Sequence, residues 1–307
     1  MNWDGLITVV GAGLAGAACA RELTQHGVEV RVVERAKAPG GRLASPELHG
    51  RRVDLGAAYF TVRDEEFAAV VSSWQEAGLA RPWTDTLTVL SPGRDAESTT
   101  GPMRWATPGG LRSVARAVLD GLEVSLQQEL ASLPDGPVVL AMPDPQAARL
   151  VPVPDPVAYS PVITLVLESP ERTWPFANGA FVHDVAELSF IADDGARRGD
   201  HAPVLVVHSS PALATQHLED PNGAVEPMLA AVRTVFDLPT PTWTHAHRWT
   251  FAQPTDQHRS SFGLTTLPDG RQVGLAGDQW CPDGSPRVES AWRSGTDLAR
   301  AIVAART

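Results

Sequence analysis

The chain has 307 residues and a formal net charge of −11, with 43% hydrophobic and 20% charged residues. It can bury a substantial core, its charge argues against nucleic acid or an anionic membrane as the main partner, and it has no apolar run near the roughly 20 residues that span a bilayer. Two cysteines, Cys19 and Cys281, are too far apart and too unlike in context to suggest a disulfide framework or a metal site.

In chain order, the first expected element is a buried parallel strand over residues 7–10, a short β-branched run. Gly11, Gly13 and Gly16 follow in the spacing G-x-G-x-x-G, interleaved with Ala12, Leu14 and Ala15. An Ala-rich helix is expected over about 14–26, closed by Gly27, and a second strand over 28–33 that ends on Glu34. Gly11 lets the chain turn out of the strand, Gly13 leaves room for a pyrophosphate, and Gly16 lets the helix pack closely on the sheet. The free N–H groups at the helix N-terminus suit phosphate. Glu34, 18 residues after Gly16, is placed to accept hydrogen bonds from ribose hydroxyls and to repel a 2′-phosphate. Taken alone, this unit grips NAD and FAD equally well.

The next residues separate the two. Arg35, Gly40, Gly41 and Arg42 complete E-R-x(4)-G-G-R, which resembles the extended signature of FAD-binding amine-oxidase-like flavoproteins. Paired glycines let the loop fold against a long cofactor, and Arg42 can reach its phosphates or the flavin edge. Residues 53–61, with Asp54, Gly56, Ala57, Tyr59 and Phe60, are similar to the D-x-G-x-x-(Y/F)-F-T segment of renalase-like flavoproteins. His247-Arg248-Trp249 with Ala252 and Pro254 resembles the H-R-W-x-x-A-x-P segment of their bacterial members. Gly277-Asp278-Gln279-Trp280, followed by Arg287-Val288-Glu289-Ser290-Ala291, resembles their G-D-x-W…R-V-E-x-A element.

The resemblance implies an α/β fold. It would have a Rossmann-like FAD-binding domain of p-hydroxybenzoate hydroxylase-like topology and an inserted mixed or antiparallel-sheet substrate domain. The FAD is expected to be non-covalent, because Cys281 does not occupy the place of the cysteine that tethers flavin in monoamine oxidases. The resemblance also carries cofactor contact to Leu130 over adenine, Gly277 and Asp278 against the ribityl or pyrophosphate region, and Arg287 and Val288 at a helix start facing the flavin pyrimidine edge.

Further elements follow the pattern of the residues. A helix is expected over 65–77, where Phe67, Val70, Val71 and Trp74 recur at helical spacing, then a strand over 83–90 and a surface hairpin or loop over 91–102. An amphipathic helix follows Pro108-Gly109-Gly110. Residues 124–133 and 138–140 read as paired strands, with the turn Ala141-Met142-Pro143 after them. Between 157 and 262 short strands over 163–167, 180–182, 188–191 and 204–207 alternate with turns, and a helix is expected over 228–236. A strand over 272–276 and a closing helix over 289–304 complete the chain. The expected division is 1–62, 105–155 and 270–307 for the cofactor domain, with 63–104 and 156–269 for the substrate domain.

Candidate pocket residues are Tyr59, Phe60, Trp105, His245, His247, Trp249 and Trp280, of which aromatic walls for a flat substrate need two or so. His245 and His247 alternate on one strand face with Trp243 and Trp249, and no third ligand is present for a metal. No residue is assigned as catalytic, since the flavin carries the chemistry. Lys37, the single lysine, lies in the adenosine-side loop, whereas amine oxidases of this superfamily place a lysine at flavin N5. By resemblance the activity is oxidation of 2- or 6-dihydro isomers of NAD(P)H, with O₂ reduced to hydrogen peroxide. An amine oxidase or desaturase, and a flavin-bound binding protein without turnover, are the alternatives. A monomer or weak homo-oligomer is expected. The apolar segment at the N-terminus is too short for a signal peptide and lacks a basic flank, so cytoplasmic residence is the expectation.

Overall fold

The computed structural model describes residues 3–306; residues 1, 2 and 307, the outer ends of the expected division, lie outside the described residues. One sheet grows around β1 (Ile7–Val10), every residue of which is buried. It pairs in parallel with β2 (Val30–Glu34) on one side and with Val138–Ala141 on the other. The full order is Gly263–Thr266, Gln272–Ala276, Val138–Ala141, β1, β2 and Glu123–Leu126. All pairings are parallel except that of the edge strand Gly263–Thr266. Alternation of side chains gives the sheet two apolar faces. Ile7, Val9, Val32 and Val139 meet Leu23 of α1 (Leu14–Gln25) and Leu298 and Ile302 of the closing helix Val288–Arg306. On the other face Val10, Val138, Leu140 and Leu275 pack against Ala147 and Val151.

The expected pairing of 124–133 with 138–140 is corrected by this topology. Glu123–Leu126 is the outer edge beyond β2, and Val138–Ala141 lies on the far side of β1. Composition identifies a strand but not its neighbour, and in a parallel sheet consecutive strands are joined by crossovers rather than hairpins. Beyond Leu126, Gln127 and Gln128 donate backbone N–H groups to the carbonyls of Ala36 and Glu34, so this stretch clamps the loop after β2.

The second sheet has eight strands, in the order Trp243–Pro254, Tyr159–Glu168, Val204–Ser209, Leu188–Asp193, Gly179–Val182, Arg81–Leu90, Glu97–Ala106 and Phe60–Thr61. It is antiparallel except between Gly179–Val182 and Arg81–Leu90. The stretch 91–102 is thus a hairpin whose second strand already begins at Glu97, where Ser and Thr fit a half-exposed pleat. The helix expected over 228–236 runs earlier, Val225–Val232. Ile163, Leu165 and Leu167 point to that helix, meeting Met228, Leu229 and Val232. The alternate residues of the sheet, Val166, Phe190, Ala192 and Val206, face Val53, Leu55 and Ala58 instead. That second face looks onto the D-x-G-type segment next to the first sheet. Among the described residues no helix is long and apolar enough to cross a membrane.

Candidate functional site

The site begins where β1 ends. Gly11 takes φ +110°, and a Cβ there would sit 2.4 Å from the carbonyl oxygen of Ala141. A Cβ on Gly16 would lie 1.9 Å from the Gly11 oxygen and 3.1 Å from the Ala141 methyl, so the helix is packed directly on the turn and on the neighbouring strand end. A Cβ on Gly13 would meet nothing within 4 Å. Gly13 is also the N-cap of α1, and no side chain caps that helix. Four N–H groups at an α-helix start need partners from outside the helix; here they open onto the free space over Gly13, which fits a phosphate. Ala12, Leu14 and Ala15 are buried behind this turn.

Glu34 is 8% exposed, and its Oε2 accepts the Ala12 N–H while Oε1 accepts the Ala36 N–H, both at 2.8 Å. The carboxylate therefore stands beside the glycine turn and fixes its position. Arg35 and Lys37 are exposed. Gly40 and Gly41 both have positive φ, the Gly40 N–H donates to the Ala12 carbonyl at 2.8 Å, and a Cβ on Gly41 would come 3.5 Å from the Gly13 Cα. The paired glycines thus fold over the glycine turn. Leu130 is half-buried against the Val10, Val138 and Leu140 cluster.

Arg42 carries the site onward. Its guanidinium donates to both oxygens of Asp278, at 2.9 and 2.5 Å, and to the Ala252 carbonyl at 3.0 Å, so one side chain joins three distant segments. A bidentate pair of this kind is strong and geometrically selective. Burial works against the Arg42 charge, but Asp278 lifts its pKa above the ordinary arginine range. Tyr159 lies with its ring 5.6 Å from the guanidinium and donates its hydroxyl to Gln279 Oε1 at 2.9 Å. Burial, then the Asp278 charge, keep that phenol protonated well above the usual range. Gln279 in turn donates to Asp144 at 2.8 Å, and Asp144 also binds His258 Nε2 at 2.7 Å and the Val157 N–H at 2.9 Å. Asp144 follows the Ala141-Met142-Pro143 turn and ties the segments that leave and re-enter the first sheet. Its role was not visible in sequence, because its three partners come from three separate elements.

The segment 54–58 is held from both sides. A Cβ on Gly56 would lie 1.9 Å from the Arg42 carbonyl, and the Ala57 N–H donates to that same carbonyl at 3.1 Å. From the larger sheet, Thr164 and Trp249 donate to the Leu55 carbonyl at 2.7 and 3.0 Å, and Arg197, in the short helix Asp194–Arg198, donates to the Ala58 carbonyl at 2.9 Å. Arg197 and Asp194 have no exposed surface and pair at 2.6 Å, while Arg198 Nη2 lies 3.2 Å from Asp54. Burial alone would raise the Asp194 pKa, but Arg197 and Arg198 hold it below the usual carboxylate range. This buried cluster, absent from the sequence reading, anchors the loop to the sheet.

The candidate aromatics separate. Phe60 is buried and stacks at 6.3 Å on Trp105 in a core with Phe67 and Trp74. Trp280 is buried with the His258 ring stacked on it at 3.5 Å. Tyr59 and Trp249 instead line the sheet face above the 54–58 segment. His247 lies edge-on to Trp249 at 4.5 Å, and burial followed by neighbouring charges lowers the basicity of His247 and His245. Arg287 donates its N–H to Ser290 Oγ at 2.8 Å, and the closing helix begins at Val288. Its Glu289 accepts the N–H groups of Arg63 and Asp64, which joins the helix start to the end of the D-x-G segment. Burial raises both thiols, Cys19 up to about 12, so neither is a ready thiolate.

The family described as NAD(P)-binding Rossmann-like domain matches residues 9–74. Phytoene dehydrogenase of Streptomyces griseus is 48% identical over 67 residues, 21% of this chain and 13% of that protein. A Mycobacterium tuberculosis protein described as a flavin-containing monoamine oxidase is 44% identical over 57 residues, 19% of this chain and 13% of that protein. The chain thus spans about an eighth of the length of these curated relatives. The structure of cyclohexylamine oxidase from Brevibacterium oxydans superposes with a TM-score of 0.77 over 99% of both chains, at 14% identity. That likeness extends the shared fold over the whole chain, both sheets included.

Proposed function

We propose that this chain is a flavin enzyme that binds FAD non-covalently and oxidises a small molecule. The observation that carries the reading is the continuous track from the uncapped start of α1, open over Gly13, through the Gly40–Gly41 loop to the Arg42–Asp278 pair. It ends beside Tyr159 and the Ala252 carbonyl, both on strands of the larger sheet. The matched flavin-containing relative and the shared fold support FAD as its occupant.

When bound, FAD supplies a hydride acceptor and a route for electrons to O₂. The chain supplies grip and surroundings. The α1 N-terminus would hold the pyrophosphate, Glu34 the adenosine ribose, and the 54–58 segment and Asp278 the flavin half. Arg42 orients Asp278 through its bidentate pair. Tyr59 and Trp249, with His247 and His245 kept neutral, would line a substrate face that contains no lysine.

For the substrate we propose a 2- or 6-dihydro isomer of NAD(P)H. Its dihydropyridine gives up a hydride without needing a general base, which suits a face without a lysine. Over the cycle the substrate, O₂ and one proton give NAD(P)⁺ and hydrogen peroxide. Anaerobic mixing of the purified protein with 6-dihydro-NAD is expected to bleach the oxidised-flavin band near about 450 nm within seconds. Bleaching by cyclohexylamine or putrescine instead would replace the substrate assignment with amine oxidation. No bleaching by any of them would favour a flavin-binding protein without turnover.

A further inference from the structure

One transverse row of the larger sheet runs above the 54–58 segment. Register sets His247, Thr164, His208, Phe190 and Phe181 side by side. Directly opposed residues of antiparallel strands share a face. Thr164 identifies that face, because its hydroxyl reaches the Leu55 carbonyl. His208 therefore projects toward the same segment, with the Gly56 backbone beside its ring. Phe190 lies 6.1 Å from the His208 ring, and Tyr59 stands edge-on to Phe190 at 6.0 Å.

His208 Nε2 is buried and has no hydrogen-bond partner. The Gly56 contact is thus left to Nδ1. Buried polar atoms are seldom left unpaired, and each exception asks for a reason. A second such atom lies on the same aromatic face: the Trp83 indole N–H, whose ring is 6.1 Å from Tyr59. Burial, then the charge of Arg197, hold the His208 pKa down to about 4, so the ring is neutral at neutral pH. In the tautomer with its proton on Nδ1, on the side of Gly56, Nε2 presents a lone pair. Arg197 and Arg198 pair with Asp54 and Asp194, and the charge over the Tyr59 ring is another cation, Arg104 at 5.4 Å, so this face offers an ammonium no free counter-ion.

We propose that His208 Nε2 is the hydrogen-bond acceptor that selects the substrate, taking an N–H donor of a flat, uncharged group such as a primary carboxamide against the Phe190 and Tyr59 rings. The proposal rests on the reading that the 54–58 segment borders the bound flavin and the substrate. It makes His208 a specificity-determining residue.

The test uses two flat probes that differ in the donor, benzamide and methyl benzoate. Their affinities are measured by calorimetry on the protein as purified and by perturbation of its flavin band. The protein is expected to prefer benzamide by about tenfold or more, and His208→Phe, which keeps an aromatic ring in the row, is expected to reduce that preference to near unity. Equal flavin content and melting temperature in the two proteins would assign the change to recognition. A preference retained in His208→Phe, or no preference or no binding in the parent protein, overturns the proposal. A colourless protein that still binds benzamide through His208 would instead overturn the FAD reading and leave the acceptor in place.

Discussion

The two sheets of this molecule are built on different logic. The nucleotide sheet places its functional groups at strand ends, on short turns whose spacing is written in consecutive residues. The larger sheet places them across its face, in rows assembled from strands that lie far apart in sequence. In the first, function depends on backbone shape and on what is absent, such as side chains on Gly11, Gly13 and Gly16. In the second it depends on side chains that meet only once register is set, as His247, Thr164, His208 and Phe190 do. The segment 54–58 is the seam, gripped by Arg42 from one side and by Thr164, Trp249 and Arg197 from the other.

Substitutions on either side of that seam break or sharpen the contrast. The largest loss of stability is expected from Arg197→Met, which leaves Asp194 and Asp54 short of a buried counter-charge; about 3–5 kcal/mol should be lost in urea unfolding. A loss under about 1 kcal/mol would mean that the cluster is solvated and does not anchor the seam. Gly16→Val forces a side chain into the Gly11 carbonyl and should cost about 3 kcal/mol, together with bound flavin. Gly13→Ala separates fold from grip. With open space around it, thermal stability of the flavin-free protein should change by about 0.5 kcal/mol or less, while the flavin dissociation constant rises about tenfold, equivalent to about 1.4 kcal/mol. Equal effects on both would show that Gly13 serves packing alone.

The last test is a pH dependence on the side of the larger sheet. Burial and Arg197 hold His208 down to about 4 in the folded protein, against about 6.5 in an unfolded chain. Between those values the unfolded state binds more protons, so stability should fall as pH drops from about 6.5 toward 4. His208→Gln should flatten that part of the urea-midpoint profile, and an unchanged profile would mean that the folded ring titrates normally.

The same contrast explains what could be read from sequence. The first strand, α1, β2 and the glycine spacing were legible because each is a local pattern with one physical purpose. The strand over 163–167 and a helix near 228–236 were legible as elements, but the helix runs earlier, Val225–Val232, and its packing on Ile163, Leu165 and Leu167 was not. The neighbour of Val138–Ala141 was not legible, because parallel strands take partners across a crossover. Tyr159, Gln279, Asp144 and His258 were missed for a related reason: each is an ordinary polar residue until the fold brings 144, 159, 258 and 279 together. Among the candidate aromatics, nothing local distinguished Phe60 and Trp280, which are core, from Tyr59 and Trp249, which face the seam.

The central claim is that the track from Gly13 to Asp278 holds FAD without a covalent bond. Heat denaturation of the purified protein, followed by mass spectrometry of the supernatant, tests it directly. The account predicts FAD released at close to one molecule per chain, with a colourless pellet. A supernatant containing only a nicotinamide dinucleotide, no cofactor at all, or flavin retained on the denatured chain would contradict it.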